Sequence, residues 1–342
     1  MINVGIIGLG KMGLLHAGIF NALENSKVTA IAEKNKFIVS ALKNHLPKIN
    51  MYTDYEKMFR KEDLDALVIT TPVFLHKEMV FDAEDYGAHI FVEKPLAING
   101  DECRSILDKK THQTTSVGYC RRFIETYRLV KKLIDEQILG PVNFFQSQIF
   151  VEQVFQKEKG WFYDPEKSGG GVLMDLGSHA LDLCHYFFGD LNTVRAVGKE
   201  IYSESVEDYA SLVMKFQNGV LGSLQASWSM RNYRLPETKF NIQFEDGMVT
   251  VTEKYVEIYS DVKDDLLKKG WNTFYKQNLT KDVPVDIGGT EYTSEDQHFL
   301  ECINSDCESL CNFKEASKTN FVIDNSYSSI QDGKTKKVKY GV

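Results

Sequence analysis

The sequence predicts an α/β protein: an N-terminal doubly wound parallel sheet over residues 1–121, then an α+β domain over 122–342 built on a large, mostly antiparallel sheet. Three observations predict it. Short apolar runs alternate with amphipathic stretches through the first third of the chain, the rhythm of repeated strand and helix. Beyond Arg122 the rhythm gives way to long β-branched and aromatic runs separated by hairpin dipeptides. At 342 residues the chain exceeds one ordinary domain and suits two, at roughly 100 to 200 residues each.

In the first part, strands are expected at residues 3–7, 28–33, 66–70, 89–92 and 114–117, with helices between them at 12–23, 75–86 and 101–110. Most of these strands are apolar almost throughout, as a parallel sheet covered on both faces requires. In the second part a helix over 124–137 ends at Gly140-Pro141, and strands are expected at 142–151, 193–201, 209–217, 219–228, 239–245 and 248–252. Asn218-Gly219 and Asp246-Gly247 are strong hairpin signals. A helix over 171–188 interrupts the strands, and helices over 294–304 and 314–331 close the chain. Residues 261–293 show no period and are expected to form a long connection.

Composition narrows the function classes. The chain is 43% hydrophobic and 26% charged, with seven prolines, and no tract is poor enough in apolar residues to stay unfolded. Forty-eight acidic against 40 basic residues give a net charge of -8, which opposes nucleic acid as the main partner. No stretch of 18 apolar residues announces a membrane span. The opening MINVGIIGLGKMG lacks the basic start and long apolar segment of a secretory signal and reads as a buried strand, so a cytoplasmic location is expected. The six cysteines form no C-x-x-C. Cys302, Cys307 and Cys311 cluster, but at spacings of five and four that miss the usual zinc pattern, so no metal is expected.

Gly8-Leu9-Gly10-Lys11-Met12-Gly13 follows the first strand and opens the first helix. Glycines there permit the tight turn, backbone approach to a pyrophosphate and close helix packing, while the helix N-terminus offers N–H groups to phosphate. Glu33, twenty residues beyond Gly13 at the end of the second strand, suits the ribose hydroxyls of a dinucleotide. The domain is therefore read as a Rossmann domain. A 2′-phosphate beside Glu33 would be repelled by a few kcal/mol at an effective dielectric of about 20. NAD is favoured on that ground, and NADP remains the alternative because Lys34 could offset the repulsion.

Two further constellations carry chemistry. Glu93-Lys94-Pro95 ends the strand at 89–92, where the nicotinamide half of a dinucleotide crevice lies, and Thr71, Pro72 and His76 line the same edge. Ser168-Gly169-Gly170-Gly171 leads into the helix over 171–188, where Asp175 and His179 stand i, i+4 on one helical face. A histidine oriented by a carboxylate can take the proton of an alcohol. The same two residues with Asp182 could instead ligate zinc, or form an ordinary helix pair; His185 is read as structural. Arg231, Asn232, Tyr233 and Arg234 follow a strand ending at Trp228 and could meet an anionic substrate, or form a solvated turn or an oligomer contact.

Together these motifs resemble the family of glucose-fructose oxidoreductase, inositol dehydrogenase and MocA. The matches are GIIGLGKMG with Glu33, TTPVFLH (70–76), FVEKPLA (91–97), VGYCRRF (117–123), GGGVLMDLGSHALDL (169–183) and SEDQHFLECI near the C-terminus. The resemblance implies a catalytic Lys94 with Asp175 and His179 as polar partners, and Arg122, Arg231 and Arg234 join them as candidate substrate contacts. It implies hydride transfer between NAD and a secondary alcohol of a sugar, cyclitol or nucleotide sugar. It also implies an open second sheet that buries one face in a homodimer or homotetramer. A non-catalytic NAD-binding regulator and an NADP-preferring sugar ketoreductase are the alternatives; sequence does not separate Lys94 from His179 as general base.

Overall fold

The computed structural model describes residues 1–109, 112–157, 159–280 and 282–341. In chain order the elements begin β1 (Ile2–Ile7), α1 (Lys11–Ala22), β2 (Ser26–Ala32), α2 (Lys36–Lys43), β3 (Asn50–Tyr52), α3 (Tyr55–Phe59), β4 (Ala66–Ile69) and α4 (His76–Tyr86). They continue with β5 (His89–Val92), α5 (Gly100–Asp108), β6 (Thr115–Val117), α6 (Glu125–Asp135), β7 (Val142–Phe150), α7 (Pro165–Ser168), a π-helical turn (Leu173–Gly177) and α8 (Ser178–Phe188). The rest are β8 (Leu191–Lys199), β9 (Tyr209–Phe216), β10 (Leu221–Ser227), β11 (Glu237–Phe244), β12 (Gly247–Val251), β13 (Tyr255–Ser260) and β14 (Gly270–Tyr275). Last come α9 (Lys276–Leu279), α10 (Thr290–Ser305), α11 (Phe313–Asp332) and β15 (Lys336–Lys337).

The chain forms two compact units. The first takes in Met1–Ala97, Asp101–Cys120 and Asp282–Ala316. Its sheet is wholly parallel, in the order β3-β2-β1-β4-β5-β6, with the reversal of strand order between β1 and β4 that a doubly wound nucleotide-binding sheet shows. Val4, Ile6, Val28, Val68 and Phe91 from the strands pack with Ile19 and Phe20 of α1 and with Phe299 and Leu300 of α10. The return of residues 282–316 to this sheet was not contained in a division of the chain at residue 121. The three-residue β3 and helices α2 and α3 were also missed, and the end of the helix expected over 101–110 lies outside the described residues.

The second unit takes in Ile98–Gly100, Arg121–Lys281 and Ser317–Val342. Its nine-stranded sheet runs β14-β13-β12-β11-β7-β10-β9-β8-β15; β7 and β10 pair parallel, and the other neighbours are antiparallel. At the β9–β10 hairpin, Gly219 has φ +93° and its N–H donates to Phe216 O at 3.1 Å, so the Asn-Gly signal marks a turn with one left-handed residue. One face of the sheet is covered: Phe145 stacks on Phe188 of α8 at 4.3 Å, and Phe216, Phe240 and Phe187 pack around them. The expected connection over 261–293 is corrected, since it contains β14 and α9. The helix expected over 171–188 begins instead as the π turn.

Candidate active site

The glycine loop has room for a dinucleotide. After β1, Gly8 turns with φ +91° and its carbonyl accepts from Thr70 Oγ1 at 2.8 Å. A Cβ at Gly13 would stand 2.1 Å from Gly8 O, so this glycine serves helix packing. A Cβ at Gly10 would meet no atom within 4 Å: here the backbone faces open space, and Gly10, as the N-cap residue, has no side chain to cap the N–H groups of α1's first turn. Lys11 is exposed and Met12 half-buried in that turn, while Leu9 is buried in the core. The Leu9 N–H donates to Glu33 Oε2 at 2.7 Å and the Asn35 N–H to Glu33 Oε1 at 2.7 Å. Glu33 thus ties the glycine loop to the end of β2, and each oxygen keeps a lone pair for a ribose hydroxyl. Lys34 beside it is exposed.

The same end of the sheet presents Thr71, Pro72, Glu93 and Lys94. Buried His76 links the two loops, with Nδ1 3.0 Å from Pro95 O and Nε2 2.9 Å from Thr71 O. Burial lowers its pKa, so the neutral ring donates to one carbonyl at a time. This side chain holds the loop carrying Lys94 rather than reaching outward. The Lys94–Pro95 peptide is cis. Glu93 is held by His16, which Asp296 holds in turn from its other ring nitrogen; neither residue is singled out by the sequence reading.

In the second unit the π turn changes the spacing on which the Asp175–His179 pair was read, because its i→i+5 bonding advances the chain less per residue than an α-helix. Asp175 Oδ2 accepts the indole N–H of Trp228 at 3.0 Å, and His179 is buried one turn on. The three glycines approach the protein itself: a Cβ at Gly170 would lie 1.9 Å from Tyr327 Oη, and one at Gly171 1.9 Å from Glu207 O. The Glu207 carboxylate caps this helix start, accepting from Gly171 N at 3.0 Å, Leu173 N at 2.9 Å and Tyr327 Oη at 3.0 Å.

The arginines separate. Arg122, a candidate substrate contact, forms a buried bidentate pair with Asp182, Nε to Oδ2 at 2.9 Å and Nη2 to Oδ1 at 2.7 Å, so its charge is matched inside the unit. That pair also occupies Asp182, the third ligand of the zinc alternative. Arg231 and Arg234 lie on an exposed loop, with Arg231 over the Phe155 ring at 4.5 Å. His185 is buried, and burial lowers its pKa to about 4. Burial, then neighbouring Cys307, pushes the Cys302 thiol up to about 12, away from the thiolate a metal needs. Among the described residues no three His, Cys, Asp or Glu side chains are grouped to hold a metal ion, and no helix is long and apolar enough to cross a membrane.

The chain is similar to known proteins. Residues 2–119 match the model of an oxidoreductase family with an NAD-binding Rossmann fold, and residues 127–250 match the GFO/IDH/MocA C-terminal domain. Levoglucosan dehydrogenase of Pseudarthrobacter phenanthrenivorans is 25% identical over 315 residues, 80% of each chain. The NAD+ scyllo-inositol 2-dehydrogenase of Bacillus subtilis is 25% identical over 238 residues, 66% of this chain and 67% of its own. A solved levoglucosan dehydrogenase in complex with NADH and levoglucosan superposes with TM-score 0.89 at 22% identity, covering 100% of both chains, a likeness of fold. The glycine loop with its Glu33 brace, the doubly wound sheet and the matched second domain together make this chain a member of the GFO/IDH/MocA oxidoreductase family, with an NAD-binding Rossmann domain at residues 2–119.

Proposed function

We propose that the protein is a dehydrogenase that oxidises, or forms in reverse, a secondary alcohol of a sugar, cyclitol or nucleotide sugar. The observation that carries the reading is the joint presence of Lys94 at the carboxyl end of β5 and Asp175 and His179 at the start of the π-turned helix. A binding protein that performs no chemistry has no use for these proton-handling groups. The dehydrogenases of levoglucosan and scyllo-inositol among the relatives support the substrate class.

NAD, when bound, supplies the hydride acceptor. His179 takes the hydroxyl proton on an imidazole nitrogen, Asp175 orients the ring, and the Lys94 ammonium steadies the negative charge developing on the alcohol oxygen. The exposed loop with Arg231 and Arg234 would meet the anionic handle of a nucleotide sugar. The reading is tested with NAD and a panel of inositols, aldoses, levoglucosan and UDP-sugars, followed at the reduced-nicotinamide absorbance. Turnover confined to simple aliphatic alcohols refutes the substrate class. Silence across the panel with NAD still bound identifies an NAD-binding regulator instead.

A further inference from the structure

His16 of α1 is fully buried between two carboxylates in the first unit. Its Nδ1 lies 2.9 and 3.0 Å from the oxygens of Asp296 on α10, and its Nε2 lies 3.0 Å from Glu93 Oε1 at the end of β5. The rings of Phe91, Phe20 and Tyr292 lie around the imidazole at 4.9, 6.4 and 6.4 Å. A neutral imidazole has one N–H and satisfies one carboxylate; with both nitrogens facing acceptors, the ring is held as imidazolium. The two carboxylates accordingly raise its pKa well above the ordinary value against the opposing effect of burial, while burial lifts Asp296 to about 6.

Burying two acids and a histidine is a poor way to gain stability, because well-packed apolar side chains of similar volume often do as well or better. What the bridge does provide is direction. It fixes Glu93 Oε1, and the other oxygen, Oε2, accepts the backbone N–H of Lys94 at 3.1 Å. The Glu93 N–H is tied to Ile69 O at 2.8 Å on β4, and Gly118 closes over the carboxylate so tightly that a Cβ there would lie 3.1 Å from Oε2. Glu93 is thus held on every side where Lys94 leaves the sheet.

We infer that Asp296, His16 and Glu93 form a positioning relay that sets the backbone from which Lys94 acts. The relay rests on the proposed role of Lys94, and it assigns a purpose to the SEDQHF segment at 294–299, which lies some 200 residues beyond the lysine. Asp296 and His16 act through Glu93 and touch no substrate.

The experiment compares the full-length protein, saturated with NAD, with its Asp296→Asn and Glu93→Gln variants, each nearly isosteric; His16→Gln is added if it folds. Acylation of Lys94 by an N-hydroxysuccinimide ester is read by peptide mass spectrometry against the exposed Lys43 and Lys57 of the same unit. A displaced side chain should change its relative rate by about threefold or more, and a misplaced catalytic group should lower kcat by about ten- to a hundredfold while KM for NAD stays within about twofold. Glu93→Gln, which can still accept from the Lys94 N–H, should be the mildest of the set. A changed Lys94 rate without turnover on any alcohol upholds the relay and removes the dehydrogenase reading. If Asp296→Asn lowers the melting temperature alone, with Lys94 labelling and kcat as in the wild type, the bridge is merely structural and the inference is overturned.

Discussion

Trp228 donates its indole N–H to Oδ2 of Asp175 at 3.0 Å from a fully buried position, while Asp175 is half-buried. The donor is rigid: the Trp228 backbone N–H is tied to Asp208 O at 3.0 Å, and the indole packs against Phe162 at 5.1 Å. Trp228→Phe keeps most of the packing and deletes the donor. Hydrogen bonds to charged groups are worth about 1.5–3 kcal/mol, so if Asp175 orients His179, kcat should fall by about ten- to a hundredfold. NAD affinity, measured by calorimetry, should be unchanged. An unaltered kcat would remove Asp175 from the proton path.

Glu33 should govern the choice of dinucleotide. NAD should bind at least about tenfold more tightly than NADP, a difference of about 1.4 kcal/mol. Because the same carboxylate accepts the Leu9 and Asn35 N–H groups, Glu33→Ala should weaken NAD as well as narrow the ratio. Calorimetric titration of both cofactors into both proteins is the check. A variant that kept the full ratio would show that Glu33 only braces the loop.

Much of the first unit was legible because its signals are local. The glycine spacing, the apolar strands and the position of Glu33 all lie within one strand–helix–strand segment. What escaped was short, polar or distant. β3 is three residues long and has no buried residue. In β14 the buried inward position is Asn272, whose amide binds the Lys268 and Gly270 carbonyls, so the apolar alternation that marks a half-buried strand is missing. The π turn cannot be told from an α-helix by hydrophobic period. Arg122 meets Asp182 sixty residues away, and His16 meets Asp296 across 280, pairings that spacing in one sequence does not encode.

His185 gives the second unit a pH-dependent stability. Burial holds its pKa at about 4, below the ordinary 6.5, and its Nδ1 lies 3.1 Å from Gly189 O. A depressed folded-state pKa contributes stability that is present above 6.5 and is lost as pH falls through about 4. The shift corresponds to about 3 kcal/mol at most. His185→Asn does not titrate and can still donate to Gly189, so from neutral pH to about pH 4 it should gain on the wild type by up to that amount. Urea unfolding followed by tryptophan fluorescence is the measurement, since Trp161, Trp228 and Trp271 all belong to this unit. A stability gap independent of pH would refute the assignment.

The uncovered face of the nine-stranded sheet carries Phe144, Val213 and Leu221 in the open, and Leu221 stands opposite Phe144 in the β10–β7 register. Exposed apolar residues gathered on one face commonly mark an association surface, and a homodimer or homotetramer is expected. Light scattering after size exclusion should show it at micromolar concentration. Val213→Asp and Leu221→Asp point outward and should leave the fold intact while shifting the protein to monomer. A monomeric wild type would end this reading of the face.

Lys94 and His179 should prove to be one proton-handling device. Loss of a positioned acid or base costs about 10² to 10⁴ in rate, so Lys94→Ala and His179→Ala should each lower turnover on that scale while NAD affinity stays within a few-fold. The double variant distinguishes shared from separate action. If the ammonium steadies the same oxygen whose proton the imidazole takes, removing either disables both, and the double loss should be far smaller than the product of the single losses. Multiplicative losses would mean that the residues serve different steps. The pH profile separates the roles: with His179 as base, the His179→Ala enzyme should lose the acid limb of its rate profile, whereas Lys94→Ala should keep it. Near-normal turnover of His179→Ala across the whole profile would exclude the imidazole as base and leave Lys94 to take the proton.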